Sequence, residues 1–145
     1  QGSAVLPEPF AMQLETDGAA GVDRASNIIV SWQDASPDES AQLSWSVDGD
    51  CIWSESGVTP DDGVMTLPAD RVRVRSTQRG KECAVLLTLD RERAGTIDPT
   101  FVPGSSFRAI QRRAVSFVST PTVEELAGPA AAASAAEDES EADED

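Results

Sequence analysis

The sequence contains no histidine and no tyrosine, and only two of its 145 residues are cysteines. Without histidine the chain cannot build a Ser-His or Cys-His catalytic pair or a histidine-ligated metal site. Two thiols alone cannot complete an ordinary structural zinc site, and no redox Cys-x-x-Cys motif occurs. Glycine-rich phosphate loops and the Gly-x-Ser-x-Gly motif of hydrolases are also missing. These absences predict a protein that is not an enzyme and needs no cofactor.

Long apolar runs are absent too. No stretch approaches the roughly 18–20 residues of a membrane-spanning helix, so we expect no membrane span. The sequence starts at Gln1 without a charged and apolar leader, so we expect any signal peptide to have been removed. Residues 1–7 are interpreted as a tag scar or flexible N-terminus, residues 8–120 as one domain, and residues 121–145 as an acidic alanine-rich tail or linker.

Positive charge is confined to one part of the chain. Ten of the eleven Lys and Arg residues lie between Arg71 and Arg113, whereas residues 1–64 hold twelve acids and one base. Residues 124–145 hold nine acids and no base. This segregation predicts either a basic face on the surface or an acidic tail that folds back onto the body. The net charge of −15 and the lack of aromatics among the basic residues argue against nucleic acid as a partner.

Apolar residues recur at every second position, which is typical of strands packed on one side. The predicted strands are Phe10–Thr16, Asn27–Asp34, Ala41–Asp48, Val64–Leu67, Arg71–Arg75, Cys83–Leu89 and Ser106–Ser119. Residues 51–53 are expected to return from a hairpin turn at 48–50. Cys83–Leu89 is the most hydrophobic strand and is expected to be central. The alternation of Ser106–Ser119 is interrupted at Gln111 and Arg113, which predicts a bulge or a bend, and residues 96–104 are expected to be irregular.

Strands separated by Gly, Pro and Asp turns, with no helical period, predict an all-β antiparallel two-sheet sandwich of about seven or eight strands. In strand count, turn spacing and length, residues 8–120 resemble the bacterial immunoglobulin-like and fibronectin-type modules of secreted and surface proteins. The resemblance implies an immunoglobulin-like architecture. The sequence departs from the antibody pattern, because Trp53 follows Cys51 by only two residues and no tyrosine corner is possible.

Cys51 and Cys83 both fall at inward positions of predicted strands. This placement favours a disulfide over two buried free thiols or one reactive thiol. Closing such a loop contributes roughly 3–4 kcal/mol to stability in the chain-entropy account. A disulfide in turn predicts an extracellular, cell-surface or periplasmic location.

The end of the sequence changes in composition. Thr122 and Glu125 have the spacing of a capping box, which predicts one helical turn before Gly128 and Pro129. Residues 130–145 contain only Ala, Ser, Glu and Asp, a composition that predicts disorder. Because its charge is opposite to that of the arginine-rich part, this tail is a candidate to cover that part.

Arginines at alternate positions give the most specific indication of function. Arg71, Arg73 and Arg75 are expected on one strand face, with Arg108 and Arg112 on neighbouring strands and Arg91 and Arg93 as further candidates there. The predicted binding residues are Arg71, Arg73, Arg75, Arg108 and Arg112. Guanidinium groups bind carboxylates and phosphates bidentately, which suits a protein or anionic glycan partner. The alternative is a solvated face whose arginines pair with Asp70, Asp90 and Glu92.

Acidic residues in two turns are weak calcium candidates. These residues are Asp48, Asp50, Asp61 and Asp62. Oxygen ligands from two loops suit Ca²⁺, although Asp-Gly is also what tight turns prefer without a metal.

Together these patterns predict a non-catalytic binding or structural module of an exported bacterial cell-surface or envelope protein, which recognises its partner through an exposed sheet face. Other domains of a longer chain are possible neighbours. The alternatives are a periplasmic assembly or secretion component and a calcium-dependent adhesive module.

Overall fold

The described residues of the chain form β-strands and one short α-helix. A computed structural model describes residues 2–16, 21–33, 41–98, 100 and 105–128. The strands are β1 (Gly2–Ser3), β2 (Met12–Leu14), β3 (Val22–Asp23), β4 (Ile28–Trp32), β5 (Ala41–Gly49), β6 (Glu55–Thr59), β7 (Val64–Leu67), β8 (Cys83–Ala94), β9 (Thr96–Ile97) and β10 (Arg108–Thr120), and the helix is α1 (Val123–Ala127).

Eight of these strands form two sheets. The larger sheet has the order β3-β10-β8-β5-β6, in which β3 runs parallel to β10 and the other pairs are antiparallel. The smaller sheet has the order β2-β4-β7 and curls as a half-barrel. Strands β1 and β9 form a separate ribbon. The predictions of an all-β fold with two sheets and of a central position for the strand that begins at Cys83 are therefore confirmed.

The hydrophobic core lies between the two sheets. Strand β8 shows how the alternation builds it, since Val85, Leu87 and Leu89 are buried while Leu86 is exposed. The larger sheet contributes Leu43, Val47, Val85, Leu87, Leu89 and Phe117, and the smaller sheet contributes Ile28, Val30, Trp32, Met65 and Leu67. Burial of each large apolar side chain contributes about 1.5–3 kcal/mol before the cost of chain entropy.

Two predicted strands are wrong. Residues 51–53 do not return along β5, because Ile52 turns into the core and β6 makes that pairing instead. Residues 71–75 form no ladder: Ala69–Arg71 is a turn of 3₁₀ helix, and Val74 makes a single bridge to Ile52. Val72 is nevertheless buried and the three arginines are exposed, so the alternation correctly predicted the faces but not the pairing.

The predicted bulge in the last strand is also wrong. β10 pairs with β8 without interruption from Arg108 to Ser119. Gln111 and Arg113 stay on the inner face because this end of the interior is polar. The Arg113 Nε donates to the backbone oxygen of Phe10 at 2.8 Å, and Gln111 lies opposite Arg91.

Helix α1 begins with the predicted capping box. The Thr122 hydroxyl accepts from the Glu125 backbone N at 3.1 Å, and the Glu125 carboxylate accepts from the Thr122 backbone N at 3.1 Å. At the other end of the chain, the segment interpreted as a tag scar or flexible end supplies β1 and the buried Pro7. The segment expected to be irregular contributes β9, and its residues 101–104, like the predicted disorder of residues 130–145, lie outside the described residues.

Candidate binding site

The disulfide fixes the part of the chain that carries the candidate site. Cys51 and Cys83 are bonded as predicted, with their Cα atoms 5.7 Å apart, and both are buried. Residues 71–81, which we call the basic loop, lie within the chain segment that this bond closes. The basic loop carries four arginines, one lysine and no acid. The bond attaches Cys83, two residues after the basic loop, to Cys51.

Short backbone contacts hold the basic loop against residues 51–53. The Trp53 backbone N donates to the Arg73 oxygen at 2.8 Å, and the Arg75 backbone N donates to the Cys51 oxygen at 3.0 Å. Val74 packs against the core from the basic loop. Because the backbone and the valines face inward, the arginine side chains are directed to solvent.

The buried side chain of Arg24 contacts the C-terminal end of the basic loop. Its side chain is only 4% exposed, and its Nη1 lies 2.5 Å from the Glu125 Oε2. The Nη2 donates to the backbone oxygen of Lys81, and the Nε donates to the Ser119 hydroxyl at 3.2 Å. One buried guanidinium therefore links the basic loop, β10 and α1, and the arginine that lies outside the basic part of the sequence has a structural role.

A groove of about 410 Å³ runs between the basic loop and α1. We call it the basic groove, and its lining residues are Arg24, Trp53, Asp70, Val72, Arg73, Val74, Arg79, Thr122 and Glu125. Trp53 is 56% exposed, and the Arg75 guanidinium lies 5.4 Å from the centroid of its ring. Exposed tryptophan and arginine are the residues most enriched among binding hot spots.

The arginines of the basic loop differ in their partners. Arg71 and Arg73 both bind Glu55, at 3.2 and 2.7 Å, and not the expected Asp70. Arg75 and Arg79 have no carboxylate within salt-bridge distance in the part of the chain that the structure describes. These two guanidinium groups are therefore the ones available to a ligand.

Arg108 and Arg112 belong to a different surface. They lie on the outer face of β10, where Arg108 binds Glu92 at 2.9 Å and Arg112 binds both Asp90 oxygens at 2.7 and 2.6 Å. The hydrogen bonds that Arg112 donates to Asp90, together with the negative charge of that carboxylate, raise the pKa of Arg112 above its ordinary value. The five arginines predicted as one site therefore lie on two surfaces. Arg108 and Arg112 pair with acidic residues of the neighbouring strand, as the alternative interpretation of a solvated face predicted.

The acidic calcium candidates are not brought together. The Asp61 Oδ1 accepts from the Arg91 Nη2 at 2.7 Å and from the Trp32 Nε1 at 2.9 Å. Over the described ranges, no group of three or more potential metal-ligating side chains includes Asp48, Asp50 or Asp62 either.

Sequence reasoning missed two features of the site and misplaced a third. It did not find Trp53 or Arg79, whose proximity depends on long-range pairing. It placed Arg91 beside the exposed arginines, whereas Arg91 is fully buried on the inner face of β8. The alternation from Val85 through Leu89 contained the signal for that position, since residue 91 has the same parity.

Within the part of the chain that can be described, no helix has both the length and the apolar character needed to cross a membrane. The chain matches no family model, no curated protein and no solved structure.

Proposed function

We propose that this chain is a non-catalytic binding module of an exported protein and that its basic groove recognises a carboxylate-rich segment of a protein partner. One observation carries the proposal. Trp53 is more than half exposed, Arg75 lies over its ring, and neither Arg75 nor Arg79 has a carboxylate partner among the described residues. An aromatic surface flanked by available guanidinium groups suits a ligand with both carboxylate and apolar groups.

The rigidity of the groove supports this role. The disulfide, the contacts of the basic loop with residues 51–53 and the buried Arg24 all fix the backbone beneath Arg73, Arg75 and Arg79. A groove that is already ordered loses little conformational entropy when a ligand binds. Its volume of about 410 Å³ suits a few side chains of a segment rather than a folded domain.

Export and architecture form the second part of the proposal. A buried disulfide is typical of proteins that fold in an oxidising compartment, which supports export to a cell surface or envelope. The two layers around one core support an immunoglobulin-like sandwich. A periplasmic assembly component would use the same groove. The calcium-dependent alternative has less support, because Arg91 and Trp32 already engage Asp61.

The test is the affinity for a synthetic nine-residue Glu/Asp peptide, measured by calorimetry and by the change in tryptophan fluorescence. Arg75→Gln/Arg79→Gln is expected to weaken binding about tenfold or more, because charge-assisted hydrogen bonds to the peptide are lost. The matched control is Arg108→Gln/Arg112→Gln, which removes the same charge from the outer face of β10 and should change affinity less than about twofold.

Equal losses in the two double variants would contradict the proposal, because they would show an effect of net charge alone. Absence of peptide binding to the natural chain and to its variants would also contradict it. Preference for a sulfated oligosaccharide of equal charge would overturn the choice of a protein partner.

A further inference from the structure

We infer that the acidic segment of residues 137–145 occupies the basic groove in the free protein and competes with the partner. The inference rests on the proposed function of the groove, and it adds regulation by the chain itself. The segment contains seven acids in nine residues and no base. Its carboxylates have the chemistry that the groove is proposed to recognise.

The chain between α1 and the segment is long enough for the segment to reach the groove. Thr122 and Glu125, at the start of α1, line the groove themselves. The helix ends at Ala127, and Gly128 follows it with a positive φ of 68°. The eight residues from 129 to 136 can span up to about 3.3–3.6 Å each, which is enough to return from a helix about 8 Å long to the groove that the helix borders.

The start of this path is fixed in place. The Glu125 carboxylate accepts from both Arg24 and the Thr122 backbone N, so α1 is attached to the buried guanidinium beneath the groove. The acidic segment is therefore tethered to a helix whose first turn lines the groove. Tethering of this kind gives effective concentrations of about 1 mM, which weak binding can exploit.

The charge distribution favours this site over others. The basic loop has five positive side chains and no negative ones, whereas residues 1–64 carry twelve acids and one base. Arg75 and Arg79 are exposed without carboxylate partners among the described residues. The seven acids meet attraction at the basic loop and repulsion over most of the remaining sequence. Because the screening length is about 8 Å at physiological salt, the contact should weaken as salt is added.

The experiment compares the natural full-length chain with a full-length chain in which Glu137, Asp138, Glu139, Glu141, Asp143, Glu144 and Asp145 are all replaced by the matching amides. Backbone amide resonances of Trp53 and of residues 71–81 are expected to differ between the two chains at low salt. The differences should vanish at about 0.5 M sodium chloride and in Arg75→Gln/Arg79→Gln backgrounds. The nine-residue acidic peptide should bind the neutralised chain about tenfold more tightly, because a tethered competitor is removed.

Identical resonances in the two chains would overturn the inference, as would equal peptide affinities or differences that persist without Arg75 and Arg79. Peptide binding by the two chains tests the proposed function separately from the competition. If both chains bind the peptide equally and lose it in Arg75→Gln/Arg79→Gln, the groove is a binding site and only the competition is wrong. If neither chain binds the peptide, the proposed function itself fails.

Discussion

Arg91 and Arg75 each place a guanidinium over an aromatic ring, at 4.6 Å from the centroid of Phe10 and 5.4 Å from that of Trp53. Their surroundings differ completely. Arg91 has no exposed surface and binds the Asp61 carboxylate at 2.7 Å, whereas Arg75 is exposed and has no carboxylate partner in the described ranges. The comparison shows that residue type and stacking do not define a binding group. Burial and existing partners decide whether an arginine holds the fold or remains available to a ligand.

The polar end of the interior around Arg91 is a connected network. The Arg91 Nη1 donates to the Glu8 backbone oxygen at 3.0 Å, and Arg113 lies on the same Phe10 ring at 5.6 Å. The Asp61 Oδ2 is buried without a hydrogen-bond partner among the described residues. Stabilisation of this carboxylate therefore rests on the contacts that its Oδ1 makes with Arg91 and Trp32. Two guanidinium groups thus attach the chain that precedes β2 to the larger sheet.

Arg91→Ala is expected to cause the largest loss of stability. Removal of one partner of a buried pair leaves the Asp61 carboxylate uncompensated and is expected to lower the free energy of unfolding by about 3–5 kcal/mol. Arg75→Ala, the matched exposed arginine, should change it by less than about 0.5 kcal/mol. Urea unfolding followed by tryptophan fluorescence measures both values.

The double variant Arg91→Met/Asp61→Asn is the control for this prediction. It removes both charges and should cost less than Arg91→Ala, because no buried charge is left alone. Equal destabilisation by the two single arginine variants would show that burial does not distinguish an arginine that holds the fold from one that is available to a ligand.

Loss of the disulfide is the next largest change. Cys51→Ala/Cys83→Ala is expected to lower the free energy of unfolding by about 3–4 kcal/mol, because the unfolded chain is no longer closed into a loop of 32 residues. The basic loop also loses a covalent anchor, so affinity for the acidic peptide should fall while the Arg91 network stays intact. Unchanged peptide affinity in the folded double variant would contradict the view that the disulfide orders the groove.

The alternation of apolar residues predicted the layers of this fold because it reports directly which side chains face the core. β4, β5, β7 and β8 all follow it, and the inward positions of Cys51 and Cys83 predicted their bond. It could not predict pairing partners. Residues 71–75 alternate like a strand yet make one bridge, because facing the core and joining a ladder are separate conditions.

The candidate site was predicted only in part for the same reason. Arg71, Arg73 and Arg75 were visible as a local pattern, and they do share the basic loop. Trp53 and Arg79 reach the groove through contacts between segments distant in sequence, which no local pattern reports. Local charge also misled the interpretation of Arg91, since a buried ion pair with Asp61 overrides the tendency of arginine to stay in water.

Glu55→Gln is expected to have only a small effect on stability and to increase the number of arginines available to a ligand. Glu55 holds Arg71 and Arg73, so its neutralisation releases two more guanidinium groups beside Arg75. Because both arginines are more than half exposed, the free energy of unfolding should change by less than about 1 kcal/mol. Peptide affinity should rise about two- to fivefold, since each freed charge adds only a screened attraction.

Glu92→Gln is the matched control, because it releases Arg108 on the outer face of β10 and should leave peptide affinity unchanged. An equal gain in both variants would mean that the peptide responds to total charge, and the distinction between available and engaged arginines would then lose its functional meaning.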